Sequence, residues 1–115
     1  FLTMLTFKTD SPKNCGIVEK DNIGRITKFY EKSNESRGNC ANGALYAFNE
    51  DFISYLKTMP SAPFDFSNEV IPNLLGKIFS YHTDNVYLDI GNYAAYCKAN
   101  EIASKIKEKS NLAKF

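Results

Sequence analysis

A single histidine, His82, serves all 115 residues, so no catalytic dyad or triad has a second imidazole to draw on. No Gly-rich phosphate loop, H-E-x-x-H pair or Walker pattern occurs, and the common signs of a phosphate cradle or a zinc hydrolase are missing with them. The three cysteines, Cys15, Cys40 and Cys97, are too few and too scattered for a disulfide framework, and none forms a C-x-x-C pair. Dispersed thiols in odd number suit a reducing cytoplasm, where they serve as small buried apolar residues. No apolar run approaches the ~20 residues of a membrane span, and no charged-then-apolar leader stands at the start. Charge of one sign is not in excess: 14 basic residues face 13 acidic ones, for a net +1. Without a basic stripe, a nucleic acid polymer is not an expected partner, and neither is a membrane. The densest basic stretch, Lys105, Lys107 and Lys109, alternates with Ile106 and Glu108 and reads as a solvated helix face.

What is present is apolar material in quantity. At 43% hydrophobic, with nine Phe and seven Tyr, the chain is far too rich in core formers for a disordered tail. Its length suits one domain or a piece of one. At this size only about two-thirds of the unfolded surface can be buried, so any missing part would be felt.

Local patterns predict alternating strands and helices. Leu2 to Lys8 is β-prone, and Thr9 to Asn14 is turn chemistry. Gly16 to Lys20 and Arg25 to Glu31 read as a β-hairpin closed by D-N-I-G. Ser33 to Asn39 has no apolar residue and is expected as an exposed loop. Ala41 to Phe48 is almost continuously apolar, which predicts an inner strand buried on both faces. Asn49 caps a short helix through Leu56, ended by Pro60. Phe64 to Gly76 is more helical, with Ser67 as its cap and Val70, Ile71, Leu74 and Leu75 on one face. Pro72 imposes a kink or a late start there, and Gly76 a stop. Lys77 to His82 and Asn85 to Ile90 read as two further strands. Asn92 then caps a last helix with Tyr96, Ala99, Ala103 and Ile106 on one side. This alternation argues an α/β chain with a mixed sheet.

Three places carry polar chemistry. His82 lies in an alternating strand, where a strand-face histidine near the surface is the favoured reading. Asp89 ends the β-prone V-Y-L-D-I run, just before Gly91 and a helix start. Ligands of open α/β sheets gather at carboxyl ends of strands; a carboxylate taking hydrogen bonds from the next helix is the other reading. Glu31 and Lys32 end the hairpin and, from composition alone, read as two solvated side chains.

Four segments in order carry a resemblance: C-G-I-V-E-K-D-N-I-G-R-I-T-K-F-Y-E-K (Cys15 to Lys32), A-N-G-A-L-Y-A-F (Ala41 to Phe48), F-D-F-S-N-E-V-I-P (Phe64 to Pro72) and L-D-I-G-N-Y-A-A-Y (Leu88 to Tyr96). Each is weak alone. Together, with their spacing, the chain resembles the sugar-1-phosphate nucleotidyltransferase family, closest in flavour to bacterial guanylyltransferases acting on mannose 1-phosphate or heptose 1-phosphate. The resemblance implies a partial Rossmann-like nucleotidyltransferase domain of the α/β class, a mixed β-sheet with a β-hairpin and flanking helices. Residues 1–115 would be its C-terminal, sugar-phosphate-binding half, with the N-terminal nucleotide-binding half absent.

The family joins a sugar 1-phosphate to a nucleoside triphosphate, giving a nucleotide-sugar and pyrophosphate with Mg²⁺. The resemblance implies that Lys32 grips the sugar's phosphate and that Glu31 accepts hydrogen bonds from its hydroxyls. Gly16 would let the sugar lie against backbone, and Asn42 and Gly43 would contact the ring. Asp89 would be the second of the two Mg²⁺-binding aspartates, with Lys32 and Asp89 as the catalytic pair. Asn92 stands where the family usually has Thr, and Tyr87 is not the commonest aromatic before the metal aspartate. The Gly-rich nucleotide loop, its Arg and Lys and the first metal aspartate would lie upstream of Phe1, leaving base preference unread. On this reading residues 1–115 alone are inactive, and an incomplete domain exposing apolar surface makes a homodimer an expected assembly. The alternatives are a non-catalytic sugar-phosphate-binding or regulatory module, and a protein-interaction domain without a small-molecule site.

Overall fold

Alternation makes Leu2–Lys8 the first strand, β1: Leu2, Met4 and Thr6 turn inward, while Thr3 and Leu5 are half-buried. The computed structural model describes residues 1–35, 38–60 and 64–112. They divide into two units, Phe1–Asn85 and Val86–Phe115, taken here one at a time.

In the first unit β1 is followed by β2 (Gly16–Lys20), β3 (Ile26–Glu31), β4 (Cys40–Phe48), α1 (Glu50–Lys57) and β5 (Ile78–Thr83). The sheet runs β3-β2-β4-β1-β5. β1 is antiparallel to β4 and parallel to β5, and β2 is antiparallel to both β3 and β4. This is the mixed sheet, with hairpin and helices, that the alternation predicts.

The D-N-I-G hairpin turn is held by Asp21, whose carboxylate accepts from Ile23 N at 3.1 Å and Arg25 N at 2.9 Å. Gly24 takes φ +88 there, a value glycine adopts without a Cβ clash. Arg25 is not in β3 but in an isolated antiparallel bridge to Phe79. Ser80 N also donates to Gly24 O at 2.8 Å. The hairpin tip thus reaches β5, the opposite end of the strand order, and the sheet curls around its core.

That core gathers Leu2, Met4, Val18, Ile26 and Ile78 from the sheet with Phe52, Val70, Ile71 and Leu74 from the segments laid over it. Phe52 comes from α1, whose cap is the expected Asn49: its Oδ1 accepts from Phe52 N at 3.3 Å. Burying a ring of this size contributes about 2–3 kcal/mol.

Several expectations are corrected. The helical reading of Phe64 to Gly76 gives way to a π-helical turn Phe66–Val70 and a 3-10 turn Pro72–Leu74, interrupted at Pro72 as expected because proline has no N–H to continue the ladder. Its cap is Asp65 rather than Ser67, with Asn68 N donating to Asp65 Oδ1 at 2.9 Å. That bond, first among several, holds the Asp65 carboxyl below its ordinary range. Gly76 stops the segment at φ +82, and Leu75 lies outside the core at 36% exposure.

β4 has the predicted inner position, but only its first half is enclosed. Ala44, Leu45, Ala47 and Phe48 are exposed, and Leu45, Ala47 and Tyr81 help line an open apolar groove of about 440 Å³. Within the loop expected over Ser33 to Asn39, Asn34, Glu35, Gly38 and Asn39 are exposed and Ser33 is half-buried; positions 36 and 37 lie outside the described residues.

The run Asn85 to Ile90, expected as a strand and lying in the second unit from Val86 onward, joins no ladder among the described residues. Val86 and Ile90 are exposed, so its β-prone side chains find no sheet face to pack on, and β propensity is realised only in such packing. The helix α2 (Tyr93–Leu112) follows. It is capped as expected by Asn92, whose Oδ1 accepts from Ala95 N at 2.8 Å. Its covered positions are Ala95, Cys97, Ala99 and Ile102. Of the expected face only Ala99 belongs to them, since Tyr96 and Ile106 are about half exposed. No helix among the described residues is long and apolar enough to cross a membrane, and all three cysteines are free and half-buried.

Candidate functional site

Strand register brings the expected sugar-side residues into one row. Gly16 pairs with Glu31 across the hairpin. Ile17 pairs with Ala41, so one residue further along this antiparallel pair Asn42 lies beside Gly16. Thr6 pairs with Asn42 on one side and with His82 on the other. Directly opposed residues share a sheet face, so Glu31, Asn42, Thr6 and His82 stand on the same face as the core, along its margin. Neighbouring strands lie ~4.8 Å apart, which puts Glu31 and Asn42 roughly 10 Å from each other.

Gly16 is glycine for a reason internal to the hairpin. A Cβ there would lie 2.7 Å from the Phe29 ring and 3.0 Å from Glu31 Oε2. The Phe29 ring itself packs against the core.

Lys32 follows directly on β3, exposed, with φ 47. A non-glycine residue in the left-handed region costs about 1–2 kcal/mol. The turn is secured by Lys32 N, which donates to Cys15 O at 3.3 Å. A strained backbone at a charged, exposed residue is a physical pointer to function.

Asn42 sits at a bulge. Met4 pairs with Tyr46 and Thr6 with Asn42, so the three residues Gly43 to Leu45 stand opposite Leu5 alone. Ala44 takes φ 53 to make this turn. In a regular strand residues four apart are separated by ~13 Å; the bulge shortens that to the spacing of Met4 and Thr6. Tyr46 Oη thereby comes within 2.8 Å of Asn42 Nδ2 and 3.2 Å of Asn42 Oδ1. Ala44 N donates to Asn42 Oδ1 at 2.8 Å. The Tyr46 ring lies against Phe66, centroids 4.6 Å apart, so the F-D-F-S segment backs the N-G segment.

Tyr46, Phe66 and Thr6 are the site neighbours that sequence reasoning missed. Tyr46 carries the one usable signal, a polar-tipped aromatic at i+4 from Asn42, but only a bulge brings the two together. His82 is a strand-face histidine as read, a third exposed at its side chain. Its Nδ1 lies 3.1 Å from the hydroxyl of the fully buried Thr6, and its Nε2 lies 3.4 Å from Asp84 Oδ1.

Asp89 belongs to the second unit. It is exposed, and a Cβ on Gly91 would stand 3.6 Å from its Oδ2. The α2 cap is Asn92's, not Asp89's. Among the described residues no group of three or more His, Cys, Asp or Glu could hold a metal. Asp89 therefore offers one hard oxygen-donor group, which fits Mg²⁺, an ion that usually takes only one or two protein carboxylates.

Comparison with known proteins places the chain in a family and a fold. The family model "Nucleotidyl transferase" matches residues 1–106. Glucose-1-phosphate adenylyltransferase of Thermotoga maritima is 32% identical over 93 residues, 74% of this chain and 22% of the relative. Mannose-1-phosphate guanyltransferase of Neurospora crassa is 28% identical over 93 residues, 77% of this chain and 25% of the relative. The chain thus spans about a quarter or less of these curated relatives. A crystal structure from Bacillus anthracis, assigned as a glucose-1-phosphate thymidylyltransferase in complex with a sucrose, superposes with a TM-score of 0.73. It covers 89% of this chain and 43% of the other at 20% identity, a likeness of fold.

Proposed function

The chain belongs to the nucleotidyl transferase family, and on that premise we propose that it is the acceptor-sugar half of an enzyme joining a sugar 1-phosphate to a nucleoside triphosphate, with release of pyrophosphate. The observation that carries this reading is the row Glu31, Gly16 and Asn42, in which strand register sets the two ends of one motif beside a residue of a second. A carboxylate and an amide roughly 10 Å apart, two strand spacings, suit the hydroxyls of a hexose-sized ring and its phosphate.

The roles are those the family resemblance implies, and the side-chain chemistry suits them. Glu31 accepts from sugar hydroxyls, Asn42 and Gly43 border the ring, and Gly16 keeps backbone within reach. The Lys32 ammonium draws the sugar's phosphate into place for in-line attack on the α-phosphorus. Little covalent chemistry is asked of the protein; positioning and electrostatics do the work. Asp89 would be a Mg²⁺ ligand, with a second carboxylate from outside this chain completing the site. The bound ion would offset charge building on the phosphates. Lys32 and Asp89 are thus the proposed catalytic pair, and residues 1–115 alone are inactive.

The base is read outside this chain. The motifs resemble guanylyltransferases, while the proteins similar to this chain are named for adenylyl, guanyl and thymidylyl transfer. We assign the protein to the cytoplasm, in keeping with its three free thiols, and to a homodimer, which sedimentation tests.

The test of function, made on the complete enzyme with its nucleotide-binding half, is pyrophosphate release from GTP, ATP or dTTP with a panel of sugar 1-phosphates and Mg²⁺. Lys32→Ala is expected to lower kcat/KM for the sugar phosphate about a hundredfold or more, the scale of one lost charge-stabilising group, with KM for the triphosphate held. Sugar-phosphate binding with no pyrophosphate release under any combination would transfer the protein to the non-catalytic module.

A further inference from the structure

Resting on the sugar-phosphate reading above, we propose that Asn42 meets its ligand as a hydrogen-bond donor only, so that the oxygen it reads on the sugar is recognised by a lone pair and not by a hydroxyl proton. An amide side chain has two N–H donors and two acceptor positions on its oxygen. At Asn42 three of these four are taken within the chain. Ala44 N–H donates to Oδ1 at 2.8 Å. A backbone amide can only donate, so this contact fixes which end of the side chain is oxygen. Tyr46 Oη donates to the same Oδ1 at 3.2 Å and accepts from Nδ2 at 2.8 Å. One Nδ2 hydrogen remains, on a residue that is half-buried rather than enclosed.

The bulge is the cause. Ala44 at φ 53 turns its N–H onto Asn42, and the two extra residues of β4 bring Tyr46 alongside. A regular strand would leave the amide with both ends open and free to rotate. It would then serve a hydroxyl as donor or acceptor alike. Across Gly16 stands Glu31, whose ionised carboxylate accepts only. The two ends of the row therefore differ in polarity: Glu31 reads a hydroxyl through its proton, and Asn42 reads another oxygen through its lone pair.

Fluorine separates these cases, because C–F retains a weak acceptor and has no proton to give, while C–H has neither. The experiment compares kcat/KM for the accepted sugar 1-phosphate with its monodeoxy and monofluoro analogues, position by position, in the native protein. At the oxygen facing Asn42 the deoxy analogue is expected to lose about tenfold, one neutral hydrogen bond, and the fluoro analogue about threefold or less. At the oxygen facing Glu31 both analogues lose alike. In Asn42→Asp the first difference closes and the second pattern stands. Tyr46→Phe, which keeps the ring against Phe66 but releases Oδ1, is a second variant expected to narrow the difference should the aspartate variant fold poorly.

Fluoro and deoxy analogues behaving alike at every position, or a difference that survives both variants, would overturn the donor assignment alone. No turnover and no binding of any sugar 1-phosphate overturns the sugar-phosphate reading and this inference together.

Discussion

Asn42 and Asp89 are both polar residues assigned to a ligand, and the chain holds them in different ways. Asn42 stands on a laddered strand, its amide pinned by Ala44 and Tyr46 and backed by the Phe66 ring. Asp89 stands on an exposed run without a ladder, its carboxylate folded over Gly91. A side chain that must distinguish one hydroxyl from another needs its direction set before the ligand arrives, because reorientation on binding costs affinity. A metal carboxylate needs less of this, since the ion itself fixes the geometry once its other ligands are supplied. On the proposed reading recognition is built into the first unit, and the proposed metal ligand depends on groups outside the chain.

The comparison breaks most sharply at Asp89. Asp89→Asn is expected to lower turnover by about a thousandfold or more, as loss of metal-assisted charge stabilisation requires, while the thermal midpoint stays in place. A shifted midpoint would make Asp89 part of the fold and erase the contrast with Asn42.

Phe52→Ala has the opposite signature. Its ring meets those of Phe1, Phe48, Tyr55 and Phe66, and urea unfolding should register a loss of about 3–5 kcal/mol. Because Phe66 backs Tyr46, sugar-phosphate affinity should fall with stability in this variant.

Ala44→Gly sharpens the comparison from the other side. Glycine accepts the left-handed φ that alanine holds under strain, and relief of about 1 kcal/mol should appear as a higher urea midpoint. An unchanged midpoint would mean that the bulge relaxes around alanine.

The smallest effect belongs to the hairpin tip. Hydrogen bonds from Arg25, led by its backbone N–H, and from Ile23 hold the Asp21 carboxyl below its ordinary range. A carboxyl depressed in the folded state stabilises it above the unfolded pKa of about 3.9, and that contribution is lost as pH falls through the folded value. Protection factors at Ile23 and Arg25, the exchange rates divided into the intrinsic rate at each pH, should accordingly fall on acidification below about pH 4, and Asp21→Asn should flatten that response.

Much of this was legible before any coordinates. Short-range chemistry marks β1, the hairpin, the Asn49 and Asn92 caps and the Gly76 stop, because each is decided by residues adjacent in sequence. The ordered motifs likewise marked Glu31, Gly16 and Asn42 as candidates. Three things were not legible. The outer half of β4 reads as buried because its side chains are apolar, but burial depends on what lies across from them. Asn85 to Ile90 reads as a strand because its residues are β-prone, but a strand exists only with a partner. Tyr46 as Asn42's clamp is invisible, because the bulge that joins them arises from a mismatch in length between β1 and β4.

What the sequence determined by itself is the family, the alternation of strands and helices and the residues offered to a ligand, since these rest on residue type and local order. Only the tertiary structure decided which of those residues adjoin, which way the Asn42 amide points and that Lys32 and Ala44 carry backbone strain. Strand register and bulges relate residues distant in the chain, and no local pattern encodes the spacing between them.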